Sequence, residues 1–182
     1  MANNTSIMLG ALKKVCELLE SENLEYMVSG SLAVNTYTTP RMTRDIDLVI
    51  SLKEEDVERF VNLFKDGYYC DADEIKREVG RRGMFNLIDN ASFTTIDFIV
   101  KRESEYRTLE FARRQRTDLY GFGMWVVTTE DLILSKLEWI QTIQSDRQIG
   151  DIINLLQSKN LDLAYLTFWI QKLRLKTFDL PL

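Results

Sequence analysis

The sequence predicts a mixed α/β domain followed by a helical region, and three observations carry that prediction. Short β-branched runs alternate with amphipathic stretches over the first two thirds of the chain. Strand-like runs stop at about Val127, and the apolar patterns beyond Thr128 have helical spacing. Only two prolines, Pro40 and Pro181, interrupt the chain. The 182 residues, 45% of them hydrophobic, suffice for one core without a disulfide or a structural metal. Two cysteines, Cys16 and Cys70, and no histidine argue against a structural zinc site.

The elements follow in order. Met8, Leu9, Leu12, Val15, Cys16 and Leu19 recur at three- and four-residue spacing, which predicts a helix over residues 6–20 with Cys16 as a buried thiol. Residues 25–29 read as a strand, Gly30 as a tight turn and residues 32–37 as a short helix. The residue before a proline avoids the helical conformation, so that region ends at Pro40. Residues 44–50, RDIDLVI, alternate as a strand. Ser51 with Glu54 has the form of a capping box and predicts a helix whose apolar face is Val57, Phe60, Val61 and Phe64. Residues 84–88 and 93–100 read as strands joined by the turn at Asp89-Asn90, and residues 124–127 as a last strand.

Thr128 with Asp131 then predicts a helix reaching residue 142. Ser145 with Gln148 predicts one over 146–157, and a final amphipathic stretch covers 162–173. The composition shift at Thr128 divides the chain into a core, 1–127, and a helical region, 128–182, packed on it. Trp125, Trp139 and Trp169 suit a core or an interface. The segment YLTFW, residues 165–169, reads as helical core, with a homodimer or partner surface as the other use.

Charge narrows the partners. A net charge of −5 is not the footprint of a general nucleic-acid binder. The one basic run, residues 107–116 with Arg113, Arg114 and Arg116, leaves two readings open, phosphate contact or a solvated helix face. No run of 18 apolar residues exists to span a membrane, and the first ten residues lack the pattern of a signal peptide, so a cytoplasmic location is expected.

The chemistry concentrates in GSLAVNTYTTPRMTRDIDLVI, residues 30–50. Asp is depleted in strands, yet Asp45 and Asp47 stand two apart, and residues i and i+2 share a face. Two like charges at that spacing repel unless a cation lies between them, and a divalent metal shared with substrate phosphates is the usual answer. Asp97, mid-strand in TTIDFIV, joins them on one surface if its strand neighbours theirs. Gly30 permits close approach of a phosphate to the backbone at a helix N-terminus, and Ser31 adds a hydroxyl. The plainer readings are a turn glycine, solvent-facing strand carboxylates and, for Lys136, an ordinary surface lysine.

Gly30-Ser31, thirteen residues, then Asp45-Ile46-Asp47 resembles the signature of the nucleotidyltransferase (DNA polymerase β-like) superfamily, with Asp97 as the third carboxylate. Arg41 and Thr43 match an R-x-T-x-D-h-D form, where h is apolar, similar to minimal and AbiEii-type bacterial nucleotidyltransferases. VTTEDLI, then Lys136-Leu137, Arg147 and Asp151 extend the likeness, which covers residues 24–156. The resemblance implies a nucleotidyltransferase-like mixed sheet flanked by helices. It implies transfer of a nucleoside monophosphate from an NTP, ATP among them, to a hydroxyl or phosphate on a protein, small molecule or RNA, with release of pyrophosphate. Asp45, Asp47 and Asp97 would hold Mg²⁺ or Mn²⁺, and Asp97 would help deprotonate the acceptor. Gly30, Ser31, Arg41, Thr43 and Lys136 would bind the nucleotide, and Arg147 with Asp151 would form a second polar cluster at the cleft. The same resemblance admits a toxin–antitoxin component with an antitoxin partner, or an inactive relative that only binds nucleotide.

Overall fold

A computed structural model describes residues 2–43, 45–119 and 121–182. A long first helix, α1 (Ala2–Ser21), leads into β1 (Tyr26–Val28), α2 (Gly30–Tyr37) and β2 (Ile46–Ile50). A 3₁₀ turn (Glu54–Asp56), α3 (Val57–Phe64), β3 (Tyr68–Tyr69), α4 (Ala72–Gly80), β4 (Met84–Asp89) and β5 (Thr95–Val100) follow. Then come α5 (Glu105–Ala112), β6 (Gln115–Leu119) and β7 (Phe122–Val126), and the helices α6 (Thr129–Ile140), α7 (Asp146–Leu155) and α8 (Leu163–Lys172). The seven strands form one mixed sheet in the order β3-β4-β5-β2-β1-β7-β6. β2 pairs parallel with β5 and β1 parallel with β7, while the other neighbours run antiparallel.

Alternation decides which face of each strand is buried. Ile46, Leu48 and Ile50 of β2 are fully buried, as are Ile96, Phe98 and Val100 of β5. Phe60 and Phe64 of α3 pack onto that side against Phe98, and Phe60 also meets Phe85 edge-on. Each such aromatic contact adds about 0.5–1.5 kcal/mol beyond its buried area. The opposite side of β4 and β5 is open, with Met84 and Asn86 exposed and Thr95, Asp97 and Ile99 half-buried.

The mixed α/β order with helices at the end is as expected, and so is Cys16, whose thiol is pushed up to about 12 by burial. Several elements differ. Ser51 does not cap α3: its N–H donates to the Glu25 carbonyl at 2.9 Å, holding the β1–β2 pair, and the 3₁₀ turn intervenes. Thr128 does cap α6, accepting from the Asp131 N–H, but Ser145 makes no side-chain bond at the start of α7. The β2 strand starts at Ile46, and the expected start at Arg44 lies outside the described residues.

Helices α4 and α5 and strands β3 and β6 have no counterpart in the sequence reading. Their apolar periodicity is broken by buried acids, Glu78 in α4 and Glu110 in α5, and β6 (QRTDL) has no apolar alternation because it is an edge strand. The basic run is neither a solvated face nor a free phosphate site. Arg107 pairs with Glu110 and Glu138, Arg113 with Asp131, Arg114 with Glu25 and Arg116 with Glu20. Trp169 is buried and Trp125 half-buried, but Trp139 is 61% exposed and belongs to no core. Among the described residues no helix is long and apolar enough to cross a membrane.

Candidate functional site

Strand pairing brings the acids together. The β2–β5 register sets Asp47 directly beside Asp97, and the β4–β5 register sets Asp97 opposite Asn86. Asp47, Asp97 and Asn86 thus form one row across three adjacent strands, with steps of about 4.8 Å. Asp45, exposed, lies just before β2, beside Asp47. Burial raises the Asp47 carboxyl above its ordinary value, and the charge on Asp45 raises it further. Lys136 and the Ser31 backbone N–H work against both. The Asp97 carboxyl is raised too, by burial first and then by Asp47 and Asp45. Asp47 and Asp97 therefore both respond to the acid charge around them, and the site favours a cation.

The glycine is where the backbone meets the carboxylate. Gly30 has φ +59°, and a Cβ there would overlap the Asp47 carboxylate. Only glycine accepts both conditions cheaply. Ser29 at the N-cap of α2 makes no side-chain cap bond, so the N–H groups of the first turn are left without that partner.

A basic group faces the acids from the helical region. Asp151 of α7 is 3% exposed and accepts from Arg41 through both oxygens, at 2.8 Å from Nε and 2.7 Å from the terminal nitrogen. Arg41 also donates to Ser31 Oγ at 2.8 Å. Lys136 Nζ of α6 donates to Asp151 at 2.9 Å and to Gln148 Oε1 at 2.7 Å. Burial pushes the Asp151 carboxyl up, but hydrogen bonds from Arg41 and Lys136 overcome it and hold the acid below its ordinary range. Burial lowers Lys136, with Asp151 opposing.

Two expectations change here. Lys136 is buried rather than a surface lysine. Asp151 pairs with Arg41 and Lys136 rather than with Arg147, which donates to the Met42 carbonyl at 3.2 Å. Ser31 Oγ accepts from Arg41. Thr43 is half-buried beside the acids, its hydroxyl 3.5 Å from the Asp45 carbonyl. Asn86 went unmarked in the sequence reading, and Gln148 was marked only as a cap. The available signal for Asn86 was an amide in a strand interior, where Asn is depleted. Only the fold brings Gln148 to Lys136.

Magnesium is the metal that this signature implies. Among the described residues no three His, Cys, Asp or Glu side chains gather tightly enough to hold an ion by themselves. Mg²⁺ commonly takes one or two carboxylates and fills its remaining positions with water and substrate phosphate. The hard oxygens of Asp45 and Asp47, with the raised carboxyl of Asp97 alongside, fit a site of that kind, completed by substrate. A separate hollow of about 600 Å³ runs along α3, lined by Glu22, Glu55, Glu58, Arg59, Asn62 and Leu63. Its three glutamates and single arginine make it a poor receptor for a triphosphate.

No family model matches the chain, and no curated protein matches it. Solved structures do. ANT(2'')-Ia, an antibiotic-resistance factor, superimposes with a TM-score of 0.64 at 13% identity, covering 93% of this chain and 91% of its own. The lincosamide antibiotic adenylyltransferase LnuA, bound to lincomycin, superimposes at 0.57 with 14% identity, over 80% of this chain and 94% of its own. A nucleotidyltransferase-like protein of Thermotoga maritima, TM1012, gives 0.52 at 15% identity, over 74% and 85%. This chain therefore has the nucleotidyltransferase fold, as its Gly-Ser and Asp-Ile-Asp pattern suggested. ANT(2'')-Ia has also been solved with adenylyl-2''-tobramycin.

Proposed function

We propose that this chain is a Mg²⁺-dependent nucleotidyltransferase that moves a nucleoside monophosphate from an NTP to a hydroxyl acceptor and releases pyrophosphate. The observation that carries this reading is the parallel β2–β5 pairing, which sets Asp47 beside Asp97 while Gly30 packs its backbone against the Asp47 carboxylate. Asp45 and Asp47 would hold the metal, which would supply charge neutralisation on the phosphates and orient them for displacement. Arg41, Lys136 and the first turn of α2 face the same place and bind the triphosphate. Thr43 flanks the metal acids. Asp97, with its raised carboxyl, takes the proton of the acceptor hydroxyl as that oxygen attacks the α-phosphorus.

The acceptor reaches Asp97 over the open side of β4 and β5, past Asn86 and Met84. That surface carries one strand acid, Asp97, and no basic strand residue, which favours a neutral or cationic small molecule or a protein side chain over RNA. The small-molecule acceptors named for LnuA and ANT(2'')-Ia support that preference.

The test is incubation with each labelled NTP and Mg²⁺, comparing wild type with Asp47→Ala. Label transfer to an added hydroxyl compound, RNA or the protein itself is expected from wild type, and a fall of at least about 100-fold from the variant. Equal activity in both would remove Asp47 from the metal site. The other outcome of this test is a nucleotide-binding relative without transfer. Nucleotide binding by wild type with no transfer of any label would establish it.

A further inference from the structure

The geometry points to Asp151 as a positioning residue that holds Arg41 and Lys136 together as one receptor for the triphosphate. This deepens the nucleotidyl-transfer reading above and rests on it. Two cations converge on a single buried carboxylate. Arg41 is gripped through two parallel bonds, at 2.8 and 2.7 Å, and Lys136 through one at 2.9 Å. The group therefore keeps one unit of positive charge that Asp151 does not cancel, next to Ser31 and the start of α2.

The fork fixes Arg41 by its Nε edge, so its remaining N–H groups keep one orientation beside Ser31. The loop that carries Arg41 is pinned as well. Asn35 of α2 donates to the Arg41 carbonyl at 2.9 Å and accepts from the Arg41 N–H at 3.0 Å. Arg147 of α7 donates to the next carbonyl, that of Met42. Helix α7, braced by Lys136 of α6, thus reaches across to the segment ahead of the acids and holds its cation at a set place. Asp151 itself is 3% exposed and its oxygens are engaged by these two cations, so it acts through them rather than on substrate. By this inference residues 128–182 complete the nucleotide site, and a core ending at 127 would not bind NTP well.

The test measures binding of ATP in EDTA, so that no metal contributes, for wild type, Asp151→Asn and Arg41→Lys. Circular dichroism and thermal melting accompany each protein. The inference expects about a tenfold or greater loss of affinity in both variants. Arg41→Lys keeps the charge but loses the fork, and its loss would show that orientation matters. It also covers the case in which Asp151→Asn fails to fold. In turnover with Mg²⁺, the KM for NTP rises more than kcat falls, a split that general destabilisation does not produce. A folded Asp151→Asn, or Arg41→Lys, that binds ATP as wild type does would overturn the inference and leave the transfer reading intact. Wild type that binds neither ATP nor tripolyphosphate in EDTA would also overturn the inference, whereas only the absence of label transfer with Mg²⁺ would overturn the reading on which it rests.

Discussion

Helix α6 serves two buried charge clusters that differ in one respect. Toward α5 and α8 it presents Asp131, fully buried. That carboxylate accepts from Thr128 Oγ1 at 2.7 Å, Tyr165 Oη at 2.7 Å and Arg113 Nε at 3.0 Å. Glu110, Ser135 and Arg107 close the neighbouring ring of bonds, with Glu138 paired to Arg107 from outside. Toward α2 and α7, five residues on and roughly 140° around the helix, α6 presents Lys136. There one carboxylate serves two cations, and the acids that face them repel one another. In the first cluster each buried acid has a bonded cation, Asp131 with Arg113 and Glu110 with Arg107, and the bonds tie three helices together. In the second, among the described residues, Asp47 and Asp97 have no bonded side-chain cation, and that is the feature the proposed ligand would use.

That contrast breaks if the two clusters respond alike to substitution. The largest effect is expected in the closed cluster. Asp131→Ala leaves Arg113, Tyr165 and Thr128 without their shared acceptor and should cost roughly 3 kcal/mol, the lower end for breaking a buried pair. Urea unfolding measures it, and the KM for NTP of the protein that remains folded should be unchanged. A KM shift would mean that the closed cluster reaches the nucleotide.

The next effect sharpens the open cluster. Gly30→Ala forces a Cβ against the Asp47 carboxylate at a positive φ, at a cost of about 1–3 kcal/mol. Activity should fall much further than stability, because the overlap displaces Asp47 itself. Paired melting curves and label transfer would show the two losses, and parallel losses would make Gly30 a plain turn glycine.

The smallest effect is one of pH. Arg41 and Lys136 hold the folded carboxyl of Asp151 below its ordinary value of 3.8. A depressed acid contributes stability that is present above that value and lost as pH falls through the lower folded one. The stability gap between wild type and Asp151→Asn should therefore be full at neutral pH and narrow below about pH 4. Asp47 and Asp97 have the opposite sign. Their raised carboxyls favour the folded state below the ordinary value and cost stability as pH rises through the folded ones. Neutralising Asp47 as Asp47→Asn should remove that cost, raising Tm at neutral pH, whereas Asp151→Asn should lower it. Denaturation at neutral pH separates the two.

Much of the candidate site was legible because it is written in short-range pattern. Alternation alone sends Asp47 away from the side that buries Ile46, Leu48 and Ile50, and a glycine before a short helix marks a tight backbone turn. The elements that escaped, α4, α5, β3 and β6, are those whose patterns carry buried acids or belong to an edge, where local hydrophobicity no longer reports burial.

The sequence by itself determined the class of fold and the shared face of the acids on and beside β2, since both follow from periodicities of two and 3.6. Tertiary structure alone decided the partners. Asp97 stands beside Asp47 through strand pairing, and Arg107 to Arg116 are consumed by acids distant in the chain. Asp151 leaves Arg147, its neighbour on the helix, for Arg41, 110 residues away in sequence. A buried carboxylate takes whichever cations the fold brings within bonding distance, and sequence spacing does not encode that distance.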